Sequence, residues 1–153
     1  MANQLCKDIA GQFELAIGLI EKTIPAFSKE QWMQGISHFE VPVKVAYHLI
    51  ESLDFYFRED KEKERVSRFG GEWDELPDEK QPSQQQLLEY LKEVEERIAT
   101  YLDRISDKDL TSQYNKKRSL IGHLVYAVRH TMHHQGALTA LAVYHKCDPD
   151  IWQ

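Results

Sequence analysis

Apolar residues recur at spacings of three and four along four separate stretches of the chain, and each stretch predicts one amphipathic α-helix. The first runs from Leu5 through Ile9, Phe13, Ala16, Ile17, Ile20 and Ile24, and Pro25 stops it. Ser28, with Gln31 three residues on, predicts a capping box at the head of a short connecting helix through Trp32. Pro42 suits the first turn of a second long helix, whose apolar side is Val43, Ala46, Leu49, Ile50, Leu53 and Phe57. Ser83 and Gln86 repeat the capping box before the third helix. There Leu87, Leu91, Val94, Ile98, Tyr101, Leu102 and Ile105 follow a near-heptad seam. After a polar loop, Ser106 to Arg118, Ser119 predicts a cap for a fourth helix from about Leu120 to His145, with Pro149 just beyond it.

Four helices that each carry one apolar stripe predict an all-α four-helix bundle. The connection from Glu59 to Pro82, which holds Gly70, Gly71 and Pro77, decides its topology. A hairpin between bundle helices needs only about 2–8 residues, and this segment is several times longer. A helix of ~22 residues is ~33 Å long, and an extended chain of this length spans it. The expectation is a long crossover between helices 2 and 3, which then run parallel. Phe69, Trp73 and Leu76 are too isolated to build a second core, so residues 1–153 read as one domain. No internal repeat or low-complexity tract interrupts them.

Composition agrees with an ordered globular chain: 42% of residues are hydrophobic and 29% charged. Nineteen Lys and Arg against 25 Asp and Glu leave a net charge of -6, which opposes binding to nucleic acid by phosphate neutralisation. No apolar run is long enough to span a membrane, and the start MANQLCKDIAGQFEL lacks the apolar stretch of a signal peptide. Cys6 and Cys147 are too few for a disulfide framework. A cytoplasmic protein with neither nucleic acid nor membrane as partner is expected.

Chemistry concentrates in the histidines. Five of the seven fall between His123 and His145, on the fourth predicted helix. At about 100° per residue, Leu120, His123, Ala127, His130, His134, Leu138, Leu141 and His145 project within about 40° of one direction. Imidazoles are thus expected on the stripe facing the bundle interior, where a polar group needs a partner. His130 and His134, one turn apart on one face, can converge on one metal ion; hydrogen bonding in the core, or exposure to solvent, is the alternative. His48 lies at the edge of the second helix's apolar wedge, where it can lean inward and leave one side of an ion open. His123 and His145 are about 10 Å or more along the axis from the pair, and His38 lies in a connection facing solvent. His133, Tyr47 and Tyr126 are pocket candidates, with packing as the ordinary role of the tyrosines. Glu51, one turn from His48, either orients a ligand ring or lies solvated on the surface, and the surface is the expected place. Glu93, Glu95 and Glu96 read as the solvated face of helix three. There is no CxxC motif and no glycine-rich phosphate loop.

The segment His130-Thr131-Met132-His133-His134-Gln135-Gly136-Ala137-Leu138 resembles the HxxxHRGQL-type signature of the DinB/YfiT-like superfamily of metalloenzymes. Val45-Ala46-Tyr47-His48-Leu49-Ile50-Glu51-Ser52 resembles that family's second-helix motif, which carries its first metal ligand. The resemblance spans essentially the whole chain, the long connection included. It implies a four-helix bundle with the signature on the last helix, and His48, His130 and His134 as three metal ligands. Gln135 stands where Arg is usual and Ala137 where Gln is usual, departures that touch pocket polarity or helix packing rather than ligation. The resemblance further implies a metal-dependent enzyme of the thiol S-transferase or hydrolase type, acting on a small molecule with a low-molecular-weight thiol, and a homodimer. Zinc and nickel are the expected ions, since imidazole ligation suits both. The rival readings are a non-catalytic metal-binding or stress-response bundle, and a metal-free helical interaction domain.

Overall fold

The computed structural model describes residues 3–58 and 67–149; the first part of the predicted connection, 59–66, lies outside the described residues. The long helices are α1 (Gln4–Thr23), α3 (Pro42–Phe57), α4 (Gln84–Arg104) and α5 (Leu120–Tyr144), with the short α2 (Lys29–Trp32) between the first two. Both predicted capping boxes form. Ser28 and Ser83 each accept from the backbone N–H three residues on and donate their own N–H to that glutamine's side chain. Ser119 caps α5 in the same way from one side only. α1 has no side-chain cap of its own. Asp107, just beyond α4, instead accepts from the N–H groups of Leu5 and Cys6 at 3.2 and 3.0 Å, satisfying two donors of the first turn.

α3 packs on α4 and α5, and α1 packs on the same two, so the helices run round the bundle in the order α1, α4, α3, α5. Phe57 meets Tyr101 while Asp54 meets Tyr90 and Arg97, which makes α3 and α4 parallel. His48 faces His134 while Tyr56 faces His123, which makes α3 and α5 antiparallel. The crossover therefore does what its length predicts. Between α4 and α5, where a polar loop is expected, a small antiparallel hairpin forms from β1 (Gln113–Asn115) and β2 (Arg118–Ser119). Two- and three-residue strands leave too little alternation to be seen in the sequence.

The core runs the length of the bundle. Phe13, Ile17, Ile20, Leu49, Ile50, Leu53, Leu87, Leu91, Val94, Leu124 and Leu138 are all buried in it. The crossover is fastened to its outside. Tyr47 donates to the Gly71 carbonyl at 3.1 Å and shares a 2.5 Å hydrogen bond with Ser67. Phe69 packs edge-on to Tyr47, and Leu76 is buried. The turn uses Gly70 at φ +84°, a left-handed conformation that costs glycine little. No helix among the described residues is long and apolar enough to cross a membrane.

Candidate metal centre

α5 sits in the groove between α1 and α3, and its sequence gives it two working faces. Leu120, His123, Leu124, Ala127, Thr131, Gln135, Leu138, Leu141 and Ala142 form its buried side. Gln135 donates to the Thr23 hydroxyl at 2.8 Å, tying α5 to α1. The residue that departs from the family's arginine thus serves helix packing. His130 and His134 lie at one edge of this side and are half-buried, toward α3. Of the stripe projected around His134, Leu120, His123, Ala127, Leu138 and Leu141 are buried, and the centre of the buried side is rotated about 40° from His134. The cause of the rotation is the apolar character of α5 nearly all round, with Val125, Met132 and Val143 on the exposed side, so no single arc of its surface marks the interior.

The antiparallel crossing brings His48 of α3 opposite His130 and His134. Ring centroids lie 4.5 Å apart for His48 and His134, 5.6 Å for His48 and His130, and 4.5 Å for the α5 pair. One nitrogen from each ring lies within 4.8 Å of the other two. The Nε2 atoms of His130 and His134 are 3.2 Å apart. Two nitrogens each about 2.0–2.1 Å from one tetrahedral ion stand about 3.3 Å apart, so the α5 pair already has the edge length of such a shell. His48 needs only a small side-chain adjustment to join them. No fourth histidine, cysteine or carboxylate joins this group among the described residues. The donor set therefore fits a divalent ion with an open side.

Electrostatics favour the ligand form of the rings. Burial pushes the His134 pKa down to about 4, and the neighbouring His48, His130 and His133 add to the fall. Burial also lowers the His130 pKa, with His133 and Arg129 contributing. Both imidazoles are neutral near pH 7, which is the state that binds metal. Aromatic rings hold the group in place. Trp73, from the crossover, lies on His48 at 4.7 Å; Tyr56 meets His130 edge-on at 5.6 Å; and Tyr126 stacks on His130 at 6.0 Å. Arg118 and Arg129 in turn cover the Tyr126 ring.

The remaining candidates divide. Tyr126 lies against the imidazoles, and exposed His133 touches His134 edge-on at 5.0 Å. Tyr47 does not join them: about 100° round α3 from His48, its hydroxyl is committed to the crossover. Glu51 is buried at 3% exposure rather than solvated, because the crossover folds over that face of α3. Burial raises the hydroxyl pKa values of Tyr47 and Tyr90, the latter to about 12, and the Glu51 carboxylate adds to both rises. His123 is structural: it stacks on Tyr114 at 3.8 Å, with its Nε2 3.1 Å from the Tyr56 carbonyl oxygen. His145 bonds the Gln34 carbonyl, and His38 is exposed. Two contributors escaped the sequence reading. Trp73 stands in a segment without periodicity, and Tyr56 carries only the faint signal of lying two turns beyond His48.

A family model described as the DinB superfamily matches residues 12–138, which include all three converging histidines and the crossover. No curated protein and no solved structure matches the chain.

Proposed function

The chain belongs to the DinB superfamily, and we propose that it is a divalent-metal-dependent enzyme of the thiol S-transferase or hydrolase type, with His48, His130 and His134 as the metal ligands. The observation that carries this reading is the three-nitrogen cluster, within 4.8 Å and without a fourth protein donor among the described residues. Three imidazoles with an open side belong to catalytic rather than closed structural sites. Zinc or nickel held there supplies a Lewis-acidic position that brings the pKa of a water or a thiol toward neutrality. The chain's own groups do the rest. His130 and His134, held neutral by burial, keep their lone pairs for ligation rather than for protons. Trp73 and Tyr56 fix two of the rings and keep bulk water from their flanks. Tyr126 and Trp73 offer apolar faces to a small-molecule substrate or thiol. We place the reaction in the cytoplasm, where Cys6 and Cys147, neither in a disulfide, would stay reduced. We also propose a homodimer, formed through the exposed apolar side of α5.

Titrating the cobalt-substituted protein with a small thiol tests the open position. The expected result is a saturable change in the visible spectrum, lost in His130→Ala. A spectrum that thiols never alter, with no transfer or hydrolysis of test substrates, would leave the rival reading: an ion that only holds α3 and α5 together.

A further inference from the structure

About 120° round α3 from His48, between α3 and α4, lies a cleft of about 1010 Å³ that contains none of the three imidazoles. Four arginines and three carboxylates line it, a local reversal of sign in a chain of net charge -6. Its base is Asp54, 1% exposed. Tyr90 donates to Asp54 Oδ2 at 2.9 Å, Arg58 Nε donates to the same oxygen at 2.7 Å, and Arg97 pairs with Oδ1. One carboxylate thus anchors two guanidiniums and neutralises one. Each guanidinium has five N–H donors in a planar fork, and Asp54 takes only part of either set. The side chains of Arg58 and Arg97 line the cleft and remain 26% and 41% exposed. Phe57 and Tyr101, packed edge-to-face at 5.4 Å, supply an apolar wall.

We propose that this cleft is a second binding site, for a small organic anion. Its carboxylate or phosphate seats on Arg58 and Arg97, and its apolar body lies against Phe57 and Tyr101. Planar bidentate donors select such oxyanions, and a pair of guanidiniums prefixed by a buried carboxylate loses little side-chain freedom on binding. The volume is at the upper end of the range for small-molecule sites. At the rim, Arg68 is paired through both nitrogens with Glu93 at 2.6 Å and lies over the Tyr90 ring at 4.8 Å. That pair can exchange partners with an incoming anion without exposing a buried charge. The site is independent of the metal reading.

Calorimetric titration of the full chain with phenyl phosphate, phenylacetate and inorganic phosphate, at fixed ionic strength, tests this. At least one of the two aromatic anions is expected to bind saturably at one site per chain, and the pair of them tells phosphate from carboxylate as the preferred oxyanion. Inorganic phosphate, with no apolar body, is expected to bind more weakly. Arg97→Gln should weaken binding at least tenfold, and Asp54→Asn, which loosens the anchor of both guanidiniums, should weaken it as well. Should Asp54→Asn fail to fold, Arg97→Gln with an unchanged circular dichroism spectrum decides the matter. Absence of saturable binding by either aromatic anion, or full affinity in Arg97→Gln, overturns the proposal. So does loss of binding in a His130→Ala/His134→Ala double variant, since the anion would then sit at the imidazoles.

Discussion

His134 shows how one side chain joins stability to function. Its ring stands among His48, His130 and His133, and burial with those neighbours holds its pKa at about 4. An unfolded chain returns it to about 6.5, so between these values the unfolded state binds the extra proton. The contribution of His134 to the stability of the metal-stripped protein is therefore fully present above about pH 6.5 and lost as pH falls toward 4. Thermal melts of the metal-stripped protein between pH 7 and 4.5 should show this decline, and His134→Gln should flatten it. A decline of equal slope in the variant would place the titrating group elsewhere. At this scale the sequence was most legible for His130 and His134, because i,i+4 spacing is a property of a single helix; His48, on α3, was marked by its place at the edge of that helix's apolar side and by the family resemblance. It was least legible for Glu51 and Tyr47. Their surroundings are set by a crossover that folds back over α3, which no local pattern encodes.

Among the elements, α4 has the strongest local specification. Ser83 and Gln86 exchange two hydrogen bonds at its start, at 3.2 and 2.9 Å, and one seam of Leu87, Leu91, Val94, Ile98 and Leu102 enters the core. Ser83→Ala removes the side-chain acceptor and should cost about 1 kcal/mol. In urea denaturation this appears as a lower midpoint with unchanged slope; an unchanged midpoint would mean that packing alone fixes the start of α4. α5 is the counter-example. Its boundaries follow from Ser119 and the residues near Pro149, yet its rotation does not follow from its pattern, because apolar residues surround it and two neighbours compete for its faces. The resulting rotation of about 40° places Thr131 and Gln135 in the buried side and His130 and His134 on its α3-facing edge. The crossover's Phe69, Trp73 and Leu76 could be read as too few for a core of their own. That they would cover the bundle, with Trp73 on His48, depended on tertiary contact.

At the scale of the whole molecule, topology and site are linked. Only a long crossover makes α3 and α4 parallel while leaving α3 antiparallel to α5, the arrangement in which His48 meets His134 at 4.5 Å. The same wrapping leaves Val125, Met132 and Val143 exposed along α5, at 58%, 41% and 65%, the apolar face on which the homodimer is proposed. Met132→Glu should shift sedimentation toward monomer without loss of helical circular dichroism, and a wild-type chain that sediments as a monomer at all concentrations would remove the dimer.

The most direct measurement of the central claim is metal content per chain, by elemental analysis of purified wild-type protein and His48→Ala after equilibration with zinc or nickel. His48 comes from a different helix than the other two rings, so it alone makes a helical His pair into a three-ligand site. The account expects about one ion per wild-type chain and a sharp loss in His48→Ala, with content kept in His123→Ala. One ion per chain in His48→Ala, or none in the wild type, would contradict it.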